Sequence, residues 1–374
     1  MTRHDRFEKQ PILSIHGVSP EGAVSLIAAN IPYGNLQWTR RFSSVGEFSV
    51  ELACPCPVDL PGRYLVTLSG HEEVGVVEKD EPAETVDGAF CRLSGRFAEC
   101  LWDRYRLGVG EASRGADWRQ AVTAALSAWH MPDLPPLAMG EGTAAPTGRS
   151  YAVAGDAGSS AMELIYSAAS ANGSRPLVSY DRDSDASSLA VALVGGVDRT
   201  RGQSANPVWV FSLGMATASE VSRSGDYSVA CSTVLARAER EGRDGTSAAV
   251  VERTVAVPGF DPALMWAARV FEDVSSLLGD GEDPTPGLVD VFGGLRAYDH
   301  MPEVAMDCSA MPDGYRSMWD LGDMVEVEMP SAGVSATARV EEVREVHKPT
   351  GAYVEATVGT KRISRVKRAL AGRR

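Results

Sequence analysis

Between Asn35 and Leu52 large side chains fall at every second position in two runs. Leu36, Trp38, Arg40 and Phe42 alternate in the first; Phe48, Val50 and Leu52 alternate in the second. An extended chain sends successive side chains to opposite faces, so a period of two reads as a half-buried strand. Ser43-Ser44-Val45-Gly46 lies between the runs and supplies a turn, with Gly46 free to take positive φ. The stretch is therefore expected to be a hairpin with one aromatic face.

A second stretch answers it near the other end. Trp319-Asp320 leads through a Leu321-Gly322-Asp323 corner into an alternating strand, Met324, Glu326 and Glu328 against Val325 and Val327. Ala336 to Val346 and Tyr353 to Val358 continue a β-meander. The chain thus begins and ends in antiparallel β structure.

The material between these ends is mixed. Ile12 to Ile15 and Gly22 to Ala28 read as strands leading into the hairpin, and Tyr64 to Ser69, Gly75 to Glu78 and Phe90 to Ser94 follow it. Gly95 to Trp102 turns helical. Short strands with turns at regular spacing predict a small antiparallel barrel or sandwich. Trp118, Val122, Ala125, Leu126 and Trp129 then recur at helical spacing up to Pro132, and Ser159 to Asn172 predicts a second helix closed by Asn172-Gly173. Pro176 to Tyr180 and Leu189 to Val194 form a hairpin around the loop 181–188. A Gly-rich crossing, 195–203, leads to strands expected over Val208 to Leu213, Tyr227 to Ala236 and Ser247 to Val257. Pro262 to Ser276 has a helical stripe, and 279–286 reads as an acidic loop.

The fold class expected is α+β, mainly β: two small antiparallel β-barrels with an α+β insertion. The boundaries drawn are 1–107 for the first barrel and 108–204 for two helices and a hairpin. Residues 205–257 and 318–360 make the second barrel, 258–317 an inserted helix and loop segment, and 361–374 a basic tail. No sharp internal repeat is present.

At 374 residues the chain is too long for one simple domain. Charged residues make up 23% and hydrophobic residues 44%, the mix of an ordinary globular protein, and no run is apolar enough for a membrane span. The first ten residues hold no apolar signal core, so folding in a cytoplasm is expected. Net charge is −14, which argues against general nucleic-acid affinity. The segment from Lys361 to Arg374 holds seven basic residues and no acid, so the remainder is more acidic still. The six cysteines, Cys54, Cys56, Cys91, Cys100, Cys231 and Cys308, have no zinc or thioredoxin spacing and read as structural thiols.

Catalytic motifs are absent. There is no phosphate-binding Gly-x-x-x-x-Gly-Lys loop and no Gly-x-Ser-x-Gly elbow. His71-Glu72-Glu73 lacks the second His of a zinc helix, and the six histidines are scattered. Gly155-Asp156-Ala157-Gly158 precedes a helix and reads as its capping loop. Asp181, Asp183 and Asp185 alternate as calcium ligands do, but Ala186 and Ala192 occupy the places of the turn glycine and the bidentate glutamate. They are weak metal candidates on a hairpin tip; no cofactor is expected.

The ordered segments Trp38-Thr39-Arg40-Arg41-Phe42 with Gly46-Glu47-Phe48, Gly75-Val76-Val77-Glu78, and Ser94-Gly95-Arg96-Phe97 with Arg104 carry a resemblance. So do Gly196-Val197-Asp198-Arg199-Thr200 with Gln203, Asn206-Pro207 and Val210-Phe211-Ser212, and Leu321-Gly322-Asp323-Met324-Val325. Together they resemble the siphophage Gp37-like minor tail proteins, which are similar to the baseplate hub of contractile phage tails. The resemblance implies a structural, non-enzymatic homotrimer whose paired barrels form a pseudo-sixfold collar between tail tube and tail tip. Its neighbours would be distal tail, tube or tape-measure, and tip or fibre proteins. DNA would pass through without specific binding, and the place would be the virion tail, assembled in the bacterial host cytoplasm. Only a short basic tail follows the last strand, which weighs against a lytic role. Trp38, Phe42, Trp209 and Trp319 are interface candidates on this reading, with core packing as the alternative. The other functional classes are a tail-associated or cytoplasmic hydrolase, and a carbohydrate- or calcium-binding module built on Asp181 to Asp185.

Overall fold

The computed structural model describes residues 10–59, 61–86, 88–129, 137–139, 151–180, 189–228, 230–240, 249–263, 265–278, 283–301, 303–310 and 314–359. The chain opens with β1 (Leu13–Val18), β2 (Val24–Ala29), β3 (Tyr33–Arg41), β4 (Glu47–Ala53), β5 (Tyr64–Leu68), β6 (Val74–Val76), β7 (Lys79–Thr85) and β8 (Gly88–Arg96), and a 3-10 turn at Ala98–Arg104. The expected hairpin is β3–β4, with Trp38 opposite Phe48 and Leu36 opposite Val50. Gly46 is needed for closeness rather than for positive φ. A Cβ there would strike the Thr39 carbonyl and the Phe97 ring.

The middle of the chain supplies β9 (Ala112–Gly115), α1 (Trp118–Ala128), β10 (Leu137–Met139), β11 (Tyr151–Ala154), α2 (Ala161–Ala171), β12 (Ser174–Tyr180) and β13 (Leu189–Gly195). Both helices start where capping chemistry puts them. The Asp117 side chain accepts from the Gln120 N–H, and the Ser160 side chain accepts from the Glu163 N–H. Asn172 ends α2, and Gly173 follows at φ +70°. Buried Trp118, Val122, Leu126 and Ile165 pack these helices into the first core, which also holds Leu36, Trp38, Phe48 and Trp102.

The last part holds β14 (Val210–Phe211), β15 (Ala218–Asp226), β16 (Thr233–Arg240), β17 (Ala249–Ala256), β18 (Arg269–Asp273), α3 (Pro286–Ala297), β19 (Glu303–Ala310), β20 (Met324–Met329), β21 (Val334–Lys348) and β22 (Gly351–Gly359). The meander is β20–β21–β22, as expected. Elsewhere the structure corrects the sequence reading. Pro262 to Ser276 is not helical: β18 lies there, parallel to β16, followed by a 3-10 turn at Ser275–Leu277. Its alternate residues Val270 and Glu272 are half-buried, so the open edge of β16 is satisfied by a strand. The helix is α3 instead. Gly287, Gly293 and Gly294 lower its intrinsic propensity and hid it. Gly293 lets the helix lie close on the sheet, since a Cβ would press on Ala236 and Val255. Tyr227 to Ala236 is likewise not one strand, because the chain turns between β15 and β16. β7 and β15 lack an inward apolar period and were not expected; β7 is exposed throughout and carries Pro82 and charge, a guarded sheet edge.

The strand order fixes the architecture. β2-β1-β5-β6 is one sheet, β10-β13-β12 another, β11-β9 a ribbon, and β17-β16-β18 a third small sheet covered by α3. The largest runs β15-β19-β22-β21-β3-β4-β8-β7, with β20 joined to β21 and β14 to β20. Among the described residues this order is an open path. Its centre is the antiparallel pair β3–β21, where Trp38 faces Glu345 across more than three-quarters of the chain. A second core of Phe42, Phe211, Trp319, Val325, Val340 and Val358 lies on that side.

Candidate functional site

Arg40 breaks the apolar alternation of β3, and its position explains why. Leu36 and Trp38, before it, belong to the first core, whereas Phe42, after it, belongs to the second. Arg40 sits where the two cores meet and is only 8% exposed. Its Nε donates to Glu73 at 2.7 Å, and its Nη1 donates to Asp320 at 2.5 Å and to the Tyr315 hydroxyl at 3.1 Å. Glu73, in the turn between β5 and β6, also accepts from Arg175 of β12 at 2.7 Å. Tyr315 donates to Glu345 of β21 at 2.6 Å. Glu345 takes three further contacts, from His71 at 2.9 Å, Arg316 at 3.3 Å and His347 at 3.4 Å.

This network ties the first strands, the α+β unit and the meander together at one point. Burial raises the pKa of Glu73, but Arg40, Arg175 and His71 outweigh it and hold the carboxyl well below the usual range. Glu345 behaves alike: burial opposes ionisation, and His71, His347 and Arg316 overcome it. A buried ion cluster adds little net stability over an apolar one, because desolvation offsets attraction. Its physical effect is registry, since any other docking of the three segments strands a charge in the core.

The resemblance segments prove to be contacts. Gly196 lies against Gly322, and a Cβ on it would overlap the Gly322 carbonyl; Gly322 itself is at φ +90° with the Phe42 ring beneath. Asp323 accepts from the Val197 N–H at 2.7 Å, from Arg199 Nε at 2.6 Å and from the Asp320 N–H at 3.0 Å. Gln203 brackets the loop by donating to the Thr200 and Asn206 carbonyls, and Asn206 donates back to the Asp198 carbonyl. The other pair also meets. A Cβ on Gly95 would strike the Val76 carbonyl, Glu78 accepts from Arg96 at 2.7 Å, and Arg96 reaches Asp103 at 3.0 Å. These glycines are there because two backbones touch.

One buried acid stands apart. Glu99, 2% exposed, accepts from the Val178 N–H at 2.9 Å and lies in a narrow void with Trp102, Ile165 and Tyr166. Burial pushes its pKa up to about 7, against the opposing pull of Arg175 and the Val178 N–H.

Of the interface candidates, Trp38, Phe42 and Trp319 are fully buried side chains, and Trp209 is half-buried. In this chain the first three are core. Trp38 packs on Phe97 at 4.7 Å between ring centroids, and Trp319 on Phe211 at 5.0 Å. Asp181, Asp183 and Asp185 lie outside the described residues, as does the basic segment 361–374. Among the described residues no three His, Cys, Asp or Glu are grouped to hold a metal, and no helix is long and apolar enough to cross a membrane. No disulfide joins the six cysteines; burial pushes the Cys91 and Cys100 thiols up to about 12. Sequence reasoning missed the partners of Arg40 and the burial of Glu99. The one available signal was an arginine inside an apolar alternation.

No protein-family model and no curated protein matches the sequence. Solved structures do. A tail protein from Neisseria meningitidis MC58 matches with a TM-score of 0.58 at 13% identity, over 94% of this chain and 97% of that one. The 43 kDa tail protein of prophage MuSo2 from Shewanella oneidensis gives 0.56 at 13% identity, over 93% and 98%. Prophage tail protein gp18 from Listeria monocytogenes EGD-e gives 0.54 at 10% identity, over 96% and 97%.

Proposed function

We propose that this chain, which has the fold of phage tail proteins, is a structural hub or minor tail subunit of a phage-type tail and not an enzyme. The observation that carries the reading is the extent of the likeness. It runs over nearly the whole of this chain and nearly the whole of three tail proteins, at identities so low that backbone architecture is what is shared. Three copies form a ring that joins the tail tube to the tail tip, with distal tail, tube or tape-measure, and tip or fibre proteins as neighbours. The ring stands in the virion tail, and its subunits fold in the host cytoplasm.

Each subunit contributes two barrel-like β units to a pseudo-sixfold collar. For the first, β6 bridges to the end of β8 at Gly75 and Phe97, and the Ile31 N–H donates to the Leu13 carbonyl, so the two sheets of this segment approach closure. The second is built from β14, β15 and β19 to β22. The β3–β21 pair and the Arg40 network hold both units in one fixed relation, as a ring subunit transmitting load requires. DNA passes through the ring; a net charge of −14 repels phosphates rather than retaining them.

The test is the solution mass of the purified chain by light scattering, followed by imaging of isolated tails. Expected are a mass near three times 39.8 kDa and a threefold ring at the tail tip. A chain that is monomeric in solution and absent from tails overturns the reading.

A further inference from the structure

β4 ends at Ala53, and the chain leaves the sheet through Cys54-Pro55-Cys56. On the neighbouring strand β8, Cys91 lies opposite Leu52, and the Cys54 N–H donates to the Ala89 carbonyl at 3.4 Å. The ladder thus brings the Cys-Pro-Cys segment beside the stretch that holds Cys91. Three thiols meet there at three depths. Cys54 is exposed, Cys56 is half-buried, and Cys91 is fully buried in the first core, against which Cys56 packs. The Cys91 and Cys56 thiols share a hydrogen bond, and Asp80 and Cys54 also lie close enough to bear on Cys91.

We propose that Cys56 and Cys91 form a disulfide once the folded chain meets an oxidising medium, and that this bond staples the end of β4 to β8. Sulfurs already in hydrogen-bond contact have only to close to a bond length of about 2 Å. Cys56 lies beyond the end of β4, so the closing movement falls on a loop and not on a strand. Burial and the Cys56 thiol hold Cys91 protonated, with its pKa pushed up to about 12. A pair whose thiolate is disfavoured has no stabilised reduced form to return to, so the bond, once made, resists reduction.

The oxidant is a low-molecular-weight disulfide. The Cys56 thiolate, its proton lost to water, attacks one sulfur and expels a small thiolate, leaving a mixed disulfide on Cys56. The Cys91 sulfur then attacks the Cys56 sulfur, and its proton passes to the second departing thiolate. Cys56 and Cys91 each give up one electron and one proton, and the small disulfide leaves as two thiols. The new bond closes residues 56–91, the segment that carries β5, β6 and β7 and presents Glu73 to Arg40 and Arg175. Closing a segment of this length removes freedom from the unfolded chain and stabilises the folded one. The occasion for oxidation rests on the tail reading, in which subunits fold among reduced thiols in a cytoplasm and later stand in a medium without them. The chemistry does not rest on it.

The purified full chain, reduced and then treated with oxidised glutathione under native conditions, tests this. Expected is a non-reducing digest in which the Cys56 and Cys91 peptides are joined, two hydrogens lighter than their sum. The thermal midpoint should rise by roughly 5 °C or more and fall back with reductant. Cys56→Ser, a change at a half-buried position, should melt like the reduced parent and lose both the bridge and the rise. Cys54→Ser should keep both. Glutathione retained on Cys54 or Cys56 without a bridge overturns the proposal. So does a bridge through Cys54, or one between two copies. A bridge with no rise in midpoint removes the staple. None of these results bears on the ring reading, which rests on mass and symmetry.

Discussion

Arg199 donates to Asp323 at 2.6 Å although 124 residues separate them. The same carboxylate, 3% exposed, takes the backbone N–H groups of Val197 and Asp320. It therefore pins the 196–206 crossing onto the corner that starts the meander. Asp323→Ala leaves three donors without their acceptor. A loss of about 3–5 kcal/mol is expected, read by urea denaturation, with faster exchange at the Val197 amide. A loss under 1 kcal/mol would mean that the corner holds without its carboxylate.

Arg40 is expected to behave as a fork rather than as a charge. Arg40→Met leaves Glu73 with Arg175 alone and removes the cation beside Asp320, and should cost on the order of 3 kcal/mol. Arg40→Lys should recover less than half of that, because one ammonium cannot reach both Glu73 and the Tyr315–Asp320 side. Full recovery by lysine in thermal melts would refute the geometric account.

Two glycine substitutions should have opposite signs. Gly196→Ala pushes a methyl into the Gly322 carbonyl and should destabilise by roughly 1–3 kcal/mol. Gly294→Ala in α3 meets open space and should stabilise by up to about 1 kcal/mol through helix propensity. Denaturation midpoints of the two variants against the parent decide it.

Glu99 gives stability a pH dependence that a single variant isolates. Its folded pKa of about 7 lies above the ordinary 4.5, so the neutral form is favoured by folding. Its contribution is complete below pH 4.5, is lost as pH rises toward 7, and is constant above that. Glu99→Gln should match the parent at pH 4.5 and exceed it at pH 8 by on the order of 3 kcal/mol. Parallel stability curves for the two chains would contradict the assignment.

The acid limb belongs to other carboxylates. Glu73 and Glu345 are held well below 4.5, so their contribution is present above that value and lost as pH falls below it. Glu73→Gln, measured against the parent from pH 6 downward, should flatten this limb. An unchanged slope would place the acid sensitivity elsewhere.

Much of the fold was legible because it rests on local chemistry. The alternation of Leu36, Trp38, Phe48 and Val50, the helix stop at Asn172-Gly173, and the Leu321-Gly322-Asp323 corner each state their structure within a few residues. The helix read over Pro262 to Ser276 failed because the open edge of β16, a neighbour distant in sequence, had to be hydrogen-bonded. α3 was hidden by glycines whose reason is Ala236 and Val255 on the sheet below.

The site was less legible than the fold. Sequence determined that Arg40 stands in an apolar alternation, that glycines recur at 95, 196 and 322, and that the chain begins and ends in β structure. Tertiary structure decided that Arg40 meets Glu73, Asp320 and Tyr315, and that Gly196 touches Gly322. It also placed Trp38 in the first core and Trp319 in the second. Ion pairs and backbone contacts between remote segments depend on where β3 and β21 come together, and no local preference encodes that meeting. It follows from burying two apolar faces at once, with the charges between them paired.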